Sequence, residues 1–319
     1  MQGKAQPSRH SGVYSSLGVL SIVFWGSTVA FSRNLIEEVG LFTAAAAIYG
    51  TGAVIMAVYL VAKPGAWRAL RALPPRYRYG CGGLFVFYAV AIYTAVGSAA
   101  GRAQVVEVGI VNYLWPSLTF AFSVPVLRRR ADWTLPLGIA LAMCGTVLAM
   151  SHETALTWSG FRGHVMSNPR AYGAALAAAV SWALYNNLSR RWASEVHGEA
   201  VPAFLGAAAV ALLLLRLGTV EESHWSVRAG LELAYLAVFV TVFAYGFWDL
   251  AMRKGNIGLV TSCSYFTPLL STAISSAYLG VELGPQMWLG CLLVMAGAVI
   301  CHRAVRQESP HPDQNATRS

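Results

Sequence analysis

Asn112, Tyr113, Trp115, Pro116 and Ser117 crowd into one six-residue stretch, NYLWPS, of an otherwise oily run, and the chain returns to the theme 152 positions later in SYFTPLLS, with Tyr265 and Pro268. A proline inside a helix lacks an N–H, and its ring crowds the carbonyl four residues back. Pro116 should therefore free the carbonyl of Asn112, and Pro268 that of Ser264. Freed backbone at membrane depth is tolerated where a neighbouring helix, a side-chain hydroxyl or a wet cavity supplies a partner. This is chemistry for holding a polar solute, with the prolines as a pair of hinges beside it or, alternatively, as static kinks.

Other polar and aromatic residues fall in the middle of apolar runs in the same way: Trp25 and Thr28, then Tyr88 and Tyr93, then Trp182, Tyr185 and Asn186, and finally Tyr245. Tryptophan and tyrosine usually collect at the two membrane interfaces, so a mid-run position needs a reason. An unpartnered hydroxyl or indole N–H in hydrocarbon costs roughly 2–7 kcal/mol. Taken singly, each is better explained by helix packing; as a set they describe a cavity wall. Flat aromatic faces suit stacking on an apolar ring, while amides, hydroxyls and freed carbonyls suit an ammonium or carboxylate. No lysine or arginine is expected mid-span, which disfavours phosphate-bearing solutes and favours a net-neutral amino acid.

Catalysis finds little support. The seven histidines lie in tails, loops or at span ends, and no H-E-x-x-H, G-x-S-x-G, P-loop or G-x-G-x-x-G pattern occurs. The five cysteines show no C-x-x-C pairing and read as packing residues. No cofactor, metal or protein partner is expected, and an enzyme embedded in the membrane is the disfavoured rival. Glu107, Glu232 and Asp249 stand about a turn inside the spans. They read as side chains reaching for the interface or capping helix ends. With so few acidic residues inside the spans, facilitated uniport is the expected mode of transport, and Glu107 and Asp249 are the candidates for proton coupling in the antiport alternative.

The elements that must position these residues are membrane helices. Of 319 residues 56% are hydrophobic and 12% charged, a composition for which the bilayer is the natural solvent. Ten apolar runs fall near 15–35, 42–62, 79–100, 103–127, 133–150, 171–190, 201–217, 229–252, 256–279 and 285–303. They predict an all-α membrane protein organised as a tail (1–14), a first five-helix unit (15–151), an external loop (152–170), a second unit (171–303) and a second tail (304–319). The first run should act as an uncleaved anchor. With both termini in the cytoplasm, 17 of the 23 basic residues fall on the inner side, as the positive-inside rule requires. Thr154 and Glu222 should then face outward. The net charge of +9 is accordingly a topology signal; nucleic acid is not an expected partner, and the arginines of KPGAWRALRALPPRYRYG should meet lipid headgroups.

Sliding residues 93–148 by 152 onto 245–300 gives 15 identities in 56 positions, pairing Tyr93 with Tyr245, Tyr113 with Tyr265, Pro116 with Pro268, Gly138 with Gly290 and Gly145 with Gly297. A shift of 157 lays Trp25 on Trp182. Each unit has an odd number of spans, so the second must be inserted upside down, the inverted-repeat plan that puts solute near the midplane between the halves. These features, together with the ending YLGVELGPQMWLGCLLVMAGAV, resemble the drug/metabolite transporter superfamily in its ten-helix, EamA-type metabolite-exporter branch. The opening LSIVFWGSTVAFSRNL and the aromatic spans are most similar to the bacterial aromatic amino acid exporters of that branch. The resemblance covers about residues 15–303. It implies an inner-membrane exporter of aromatic and other neutral amino acids working by alternating access, with a proton-coupled multispecific drug or metabolite exporter as the alternative. One departure stands out: an Arg-Phe pair that many relatives carry in the second span is replaced here by Ile48-Tyr49-Gly50.

Overall fold

Apolar stretches uninterrupted by charge become long helices because every backbone polar group in hydrocarbon must be satisfied within its own segment. The computed structural model describes residues 9–150, 157–194, 200–279 and 285–306. In the first half α1 (Arg9–Val39) and α2 (Leu41–Ala62) are followed by short α3 (Ala66–Ala72). A π-helical turn (Arg76–Cys81) runs into α4 (Gly82–Ser98), and then come α5 (Gly101–Asn112), α6 (Trp115–Leu127) and α7 (Leu135–Met150).

The second half holds α8 (Trp158–Ser167), α9 (Pro169–Ala193) and α10 (Val201–Leu217). Next α11 (Val227–Tyr235) passes through a π stretch (Leu236–Phe243) into α12 (Ala244–Lys254). Finally come α13 (Ile257–Ser264), α14 (Thr267–Leu279) and α15 (Pro285–Ala304). Two-residue strands β1 (Arg130–Ala131) and β2 (Val305–Arg306) pair antiparallel. With α5–α6, α11–α12 and α13–α14 taken as single broken passes, the described residues make ten passes. Four of these are long and apolar enough to cross a bilayer on length and hydropathy alone, and α1, bent by 46° along its run, makes a fifth when counted as one span. The others are shorter or more polar and rely on neighbouring helices.

The passes alternate between two faces. On one, the Asn256 N–H donates to Ser15 Oγ at 2.9 Å and Arg130 pairs with Arg306; this is the terminal face. On the opposite face Asn168 Nδ2 donates to the Ser98 carbonyl at 2.7 Å, and the His224 N–H to that of Glu38 at 2.9 Å. Here too Glu221, from the second half, caps α2 of the first. Its carboxylate accepts from the N–H groups of Phe42 and Thr43, both at 2.9 Å, and Arg216 Nε stands 3.3 Å away. Burial alone would raise the Glu221 carboxyl, but those donors hold it below its ordinary value. Gly40, at φ 88°, makes room, since a Cβ there would lie 2.6 Å from the Glu221 carboxylate.

The halves are related by an approximate two-fold axis, and the glycines of the sequence repeat show it. A Cβ on Gly145 of α7 would come 2.7 Å from the Gly290 carbonyl oxygen of α15, and one on Gly297 of α15 would come 2.6 Å from the Gly138 carbonyl of α7. The 152-residue shift exchanges these two contacts, as an isologous interface demands. Small residues let the two backbones touch. The same exchange relates α1, which packs on α12 and α14, to α9, which packs on α4 and α6.

At the prolines the helices do not bend continuously but stop and restart. α5 ends at Asn112 and α6 begins at Trp115; α13 ends at Ser264 and α14 begins at Thr267. The bridging turn is the same in both: Leu114 N–H donates to the Val111 carbonyl at 3.2 Å, and Phe266 N–H to that of Cys263 at 3.0 Å. These are repeat-equivalent bonds of 3₁₀ type. Each proline thereby sits in the first turn of a new helix, where its missing N–H matters least.

The stretch expected as an external loop contains α8, whose start is capped by Thr157 Oγ1 accepting from the Gly160 N–H at 3.1 Å. Two glycines and a polar mixture hid it from the apolar pattern; Phe161 packing edge-on to Tyr172 of α9, 5.7 Å between centroids, helps hold it. Residues 1–8 and 307–319 of the expected tails, and Thr154 of that loop, lie outside the described residues.

Candidate functional site

Between the halves lies a cavity of about 560 Å³. Nine of the residues singled out by the sequence line it: Trp25 and Thr28 from α1; Tyr88 and Tyr93 from α4; Asn112, Tyr113 and Trp115 at the α5–α6 break; Trp182 from α9; and Tyr245 from α12. Helical spacing brings them together, because Trp25 with Thr28, Tyr88 with Ile92 and Tyr93 with Val96 stand three or four residues apart and line the same space.

The wall is aromatic at its base. Trp25 contacts Trp182 and Tyr245 with ring centroids 5.8 and 5.4 Å apart, and Tyr88 lies 4.7 Å from Trp182. Trp25 and Trp182 are repeat equivalents, so their contact marks the axis. The Tyr245 hydroxyl shares a 2.7 Å hydrogen bond with that of Tyr49. At the other end the cavity is lined by Ser32, Arg33, Ile36, Glu37 and Leu41. Arg33 and Glu37 form a 3.0 Å ion pair with side chains 54% and 63% exposed. The mouth therefore opens on the face opposite the termini, and no lining residue comes from the terminal-face ends of the helices.

Four expected wall residues stand elsewhere. Ser117 and Tyr265 share a 2.7 Å hydroxyl–hydroxyl bond that ties α6 to the α13–α14 break. Tyr185 donates to Asp249, and Asn186 accepts from the Trp248 indole N–H at 2.8 Å and donates to Thr119. All four are buried in helix contacts rather than at the cavity surface. Tyr49, Thr241, Thr267, Ser271 and Arg33 line the cavity without having been singled out. Tyr49 and Thr241 carried the signal used for the others, a polar group in mid-run. Arg33 was hidden because α1 runs on to Val39, a turn past its expected end.

One acceptor beside this space has its need unmet. Asn112 lines the cavity, and its Oδ1 is buried without a partner in the structure. In the second half the freed Ser264 carbonyl accepts from Thr267 Oγ1 at 2.8 Å. The repeat puts Trp115 where Thr267 stands, so the first half has no equivalent hydroxyl for the Asn112 carbonyl. The two halves thus offer different surfaces to one solute.

The two candidate coupling carboxylates are buried away from the cavity. Asp249 does not reach for the interface as expected. Its Oδ1 accepts from Tyr77 at 2.7 Å and Tyr185 at 2.9 Å, and its Oδ2 from Arg253 Nε at 2.9 Å. Arg253, expected in a loop on the terminal face, is 0% exposed in its side chain. α12 continues to Lys254 and presses it against α9, where its guanidinium lies over the Tyr77 ring. This cluster and the layer of Trp248 and Trp182 close the bundle toward the terminal face. Glu107 lies near the opposite face, 3.1 Å from His164 Nδ1 of α8 and accepting from the Tyr172 hydroxyl. Glu232 pairs with Arg228 at 3.1 Å. Among the described residues no group of histidines, cysteines and carboxylates could hold a metal ion.

Comparison with known proteins gives consistent neighbours. A family profile described as the EamA-like transporter family matches residues 13–151 and again 169–302. The chain is 30% identical over 291 residues to the aromatic amino acid exporter YddG of Escherichia coli strain K12, covering 91% of this chain and 97% of the relative. The YddG of Salmonella typhimurium strain 14028s is equally similar over the same span. A crystal structure with 26% identity superposes with a TM-score of 0.76 over 91% of this chain and 97% of the other.

Proposed function

The chain belongs to the EamA-like transporter family, and from that premise we propose that it exports aromatic and other neutral amino acids by alternating access. The observation that carries the reading is the cavity at the two-fold axis, walled by Trp25, Tyr88, Trp182 and Tyr245, with the unpaired amide oxygen of Asn112 beside it. Indole and phenol faces stack on an aromatic side chain, and that oxygen, with the electron-rich ring faces, takes an ammonium group. A mouth holding one positive and one negative side chain leaves no net charge to attract phosphate esters. The names of the YddG relatives agree with this substrate class.

The test is a substrate panel in proteoliposomes. Trp182→Ala and Tyr113→Ala should slow phenylalanine and tryptophan about threefold to tenfold more than alanine or serine, because stacking contributes about 0.5–1.5 kcal/mol beyond area burial. Equal losses for both groups of substrates would return these residues to a packing role. Recovery of chemically altered substrate would point to an enzyme instead.

We further assign the terminal face to the cytoplasm of a bacterial inner membrane, on the distribution of basic residues. The structure then represents a state open to the outside. A cysteine placed at Glu222, in a background without native cysteines, should react with impermeant reagents applied to intact cells; its protection would reverse the orientation.

Transport is proposed to be uniport. Neither Glu107 nor Asp249 lines the cavity, and each carboxylate is held by its own partners, an arrangement ill suited to exchanging a proton with each turn of the cycle. In liposomes loaded with labelled substrate, a pH gradient should change the initial flux little and support no accumulation. Uphill accumulation abolished by Glu107→Gln or Asp249→Asn would establish the antiport alternative and name its coupling residue.

A further inference from the structure

A second hollow, of about 760 Å³, lies on the outer surface of the bundle, where α3 and the π turn before α4 meet α4 and α10. Its walls change character along its length. At the terminal-face end stand Trp67, Arg71 and Arg78; farther along, Gly83, Val86 and Ala207 line an apolar trough. Gly83 keeps the trough open, since a Cβ there would meet nothing within 4 Å. Trp67 is 50% exposed, as suits an indole at a headgroup layer.

Among the described residues neither arginine has a carboxylate partner. No acidic residue occurs between Glu38 and Glu107. Arg78 is fixed by its Nη1 donating to the Arg71 carbonyl and its Nη2 to the Tyr79 hydroxyl, both at 3.1 Å. Its Nε–H is nevertheless buried without an acceptor in the structure. A guanidinium held in one plane by its own chain, and standing in the groove wall, presents its remaining N–H groups to an anionic oxygen from outside the chain.

We propose that this groove is a binding site for an anionic phospholipid, its phosphate held by Arg71 and Arg78 and one acyl chain laid along Gly83, Val86 and Ala207. Charge alone would attract free phosphate, but the trough beyond the arginines has a use only for a chain. The apolar trough alone would accept any lipid, but two guanidinium groups without a carboxylate partner select one with net negative charge, each contributing as a juxtamembrane arginine does. The site is separate from the central cavity, so it does not depend on which solute is exported.

The experiment is lipid binding to the purified full chain in detergent, read by native mass spectrometry and by thermal unfolding. Micelles are doped with phosphatidylglycerol, with phosphatidylcholine of the same chains, or given inorganic phosphate alone. Phosphatidylglycerol should stay bound and raise the unfolding midpoint; the other two should do neither. Arg71→Gln/Arg78→Gln should bind phosphatidylglycerol about thirtyfold more weakly. Gly83→Leu fills the trough without touching a charge and should lose the lipid as well, so it decides the matter if the arginine variant is not recovered folded. Equal effects of phosphatidylcholine, a matching effect of inorganic phosphate, or wild-type binding by the Gly83→Leu variant would overturn the assignment.

Discussion

Asp249→Ala should destabilise the protein by about 3–5 kcal/mol, the usual consequence of removing one partner of a buried ion pair. The reason lies in what would remain. Arg253 has no exposed side-chain surface, so its charge would stay in the bundle without the carboxylate 2.9 Å away. Tyr77 and Tyr185 would lose their acceptor at the same time. Asp249→Asn should be milder, because an amide oxygen can still accept from one of the tyrosines, though it cannot neutralise Arg253. Asp249→Leu with Arg253→Met should recover most of the loss, since a well-packed apolar pair often replaces a buried ion pair at little cost. Thermal unfolding of the variants in one detergent checks this ordering. A double variant as unstable as Asp249→Ala would mean that the hydrogen bonds of the tyrosines, and not the uncompensated charge, dominate.

The double variant also separates two roles. If the cluster only closes the terminal face, Asp249→Leu/Arg253→Met should still carry amino acids down their gradients, with the parent's response to a pH gradient unchanged. The cluster joins the π turn before α4, α9 and α12, elements from both halves. Opening that face must part them. A pair that is buried when the face is shut and hydrated when it opens stabilises the shut terminal face by less than its geometry suggests, because water restores what separation removes.

Much of this arrangement was legible in the sequence for identifiable reasons. Two proline motifs 152 residues apart announced the broken passes, and the glycines in register with them marked the helix crossing, because backbone constraints leave their mark at single positions. Nine cavity residues, seven of them tyrosine or tryptophan with Thr28 and Asn112, were legible because a polar group in mid-span needs a partner wherever it points. Tyr185 and Asn186 met the same criterion and found their partners in Asp249, Trp248 and Thr119 instead. Linear position gives depth in the membrane but not which neighbouring helix a side chain faces. The same limit applies to Asp249: a turn inside a span is near the interface only if no other element covers it, and Tyr77, in a π turn with no sequence signature, covers it here. Arg253 and α8 depended likewise on tertiary partners.

Pro116→Ala combined with Pro268→Ala should slow transport by an order of magnitude or more while leaving folding intact. In both halves a 3₁₀ bond closes one helix and a new helix starts a residue later, with the proline in its first turn. An alanine N–H at these positions could bond to the carbonyl of Asn112 or Ser264 and make each pass continuous. Each restored bond contributes about 0.5–1.5 kcal/mol, so both together would favour straight passes on the order of thirtyfold over the broken ones. The two breaks are not equivalent in what they give up. Straightening α13–α14 would displace the Thr267 hydroxyl from the Ser264 carbonyl and disturb the Tyr265–Ser117 bond, moving one wall residue, Thr267, and no aromatic of the wall. Straightening α5–α6 would remove the Asn112 carbonyl from the cavity and swing Tyr113 and Trp115, both wall residues. Pro116→Ala alone should therefore impair aromatic substrates more than Pro268→Ala alone, and the double variant should be slow with every substrate. Initial rates for the three variants, measured with phenylalanine and alanine, decide the point. Wild-type rates in the double variant would leave the prolines as starts of helices with no part in motion, and the exchange of inward and outward access would have to be sought in rigid rocking of the two halves about the glycine contact of α7 and α15.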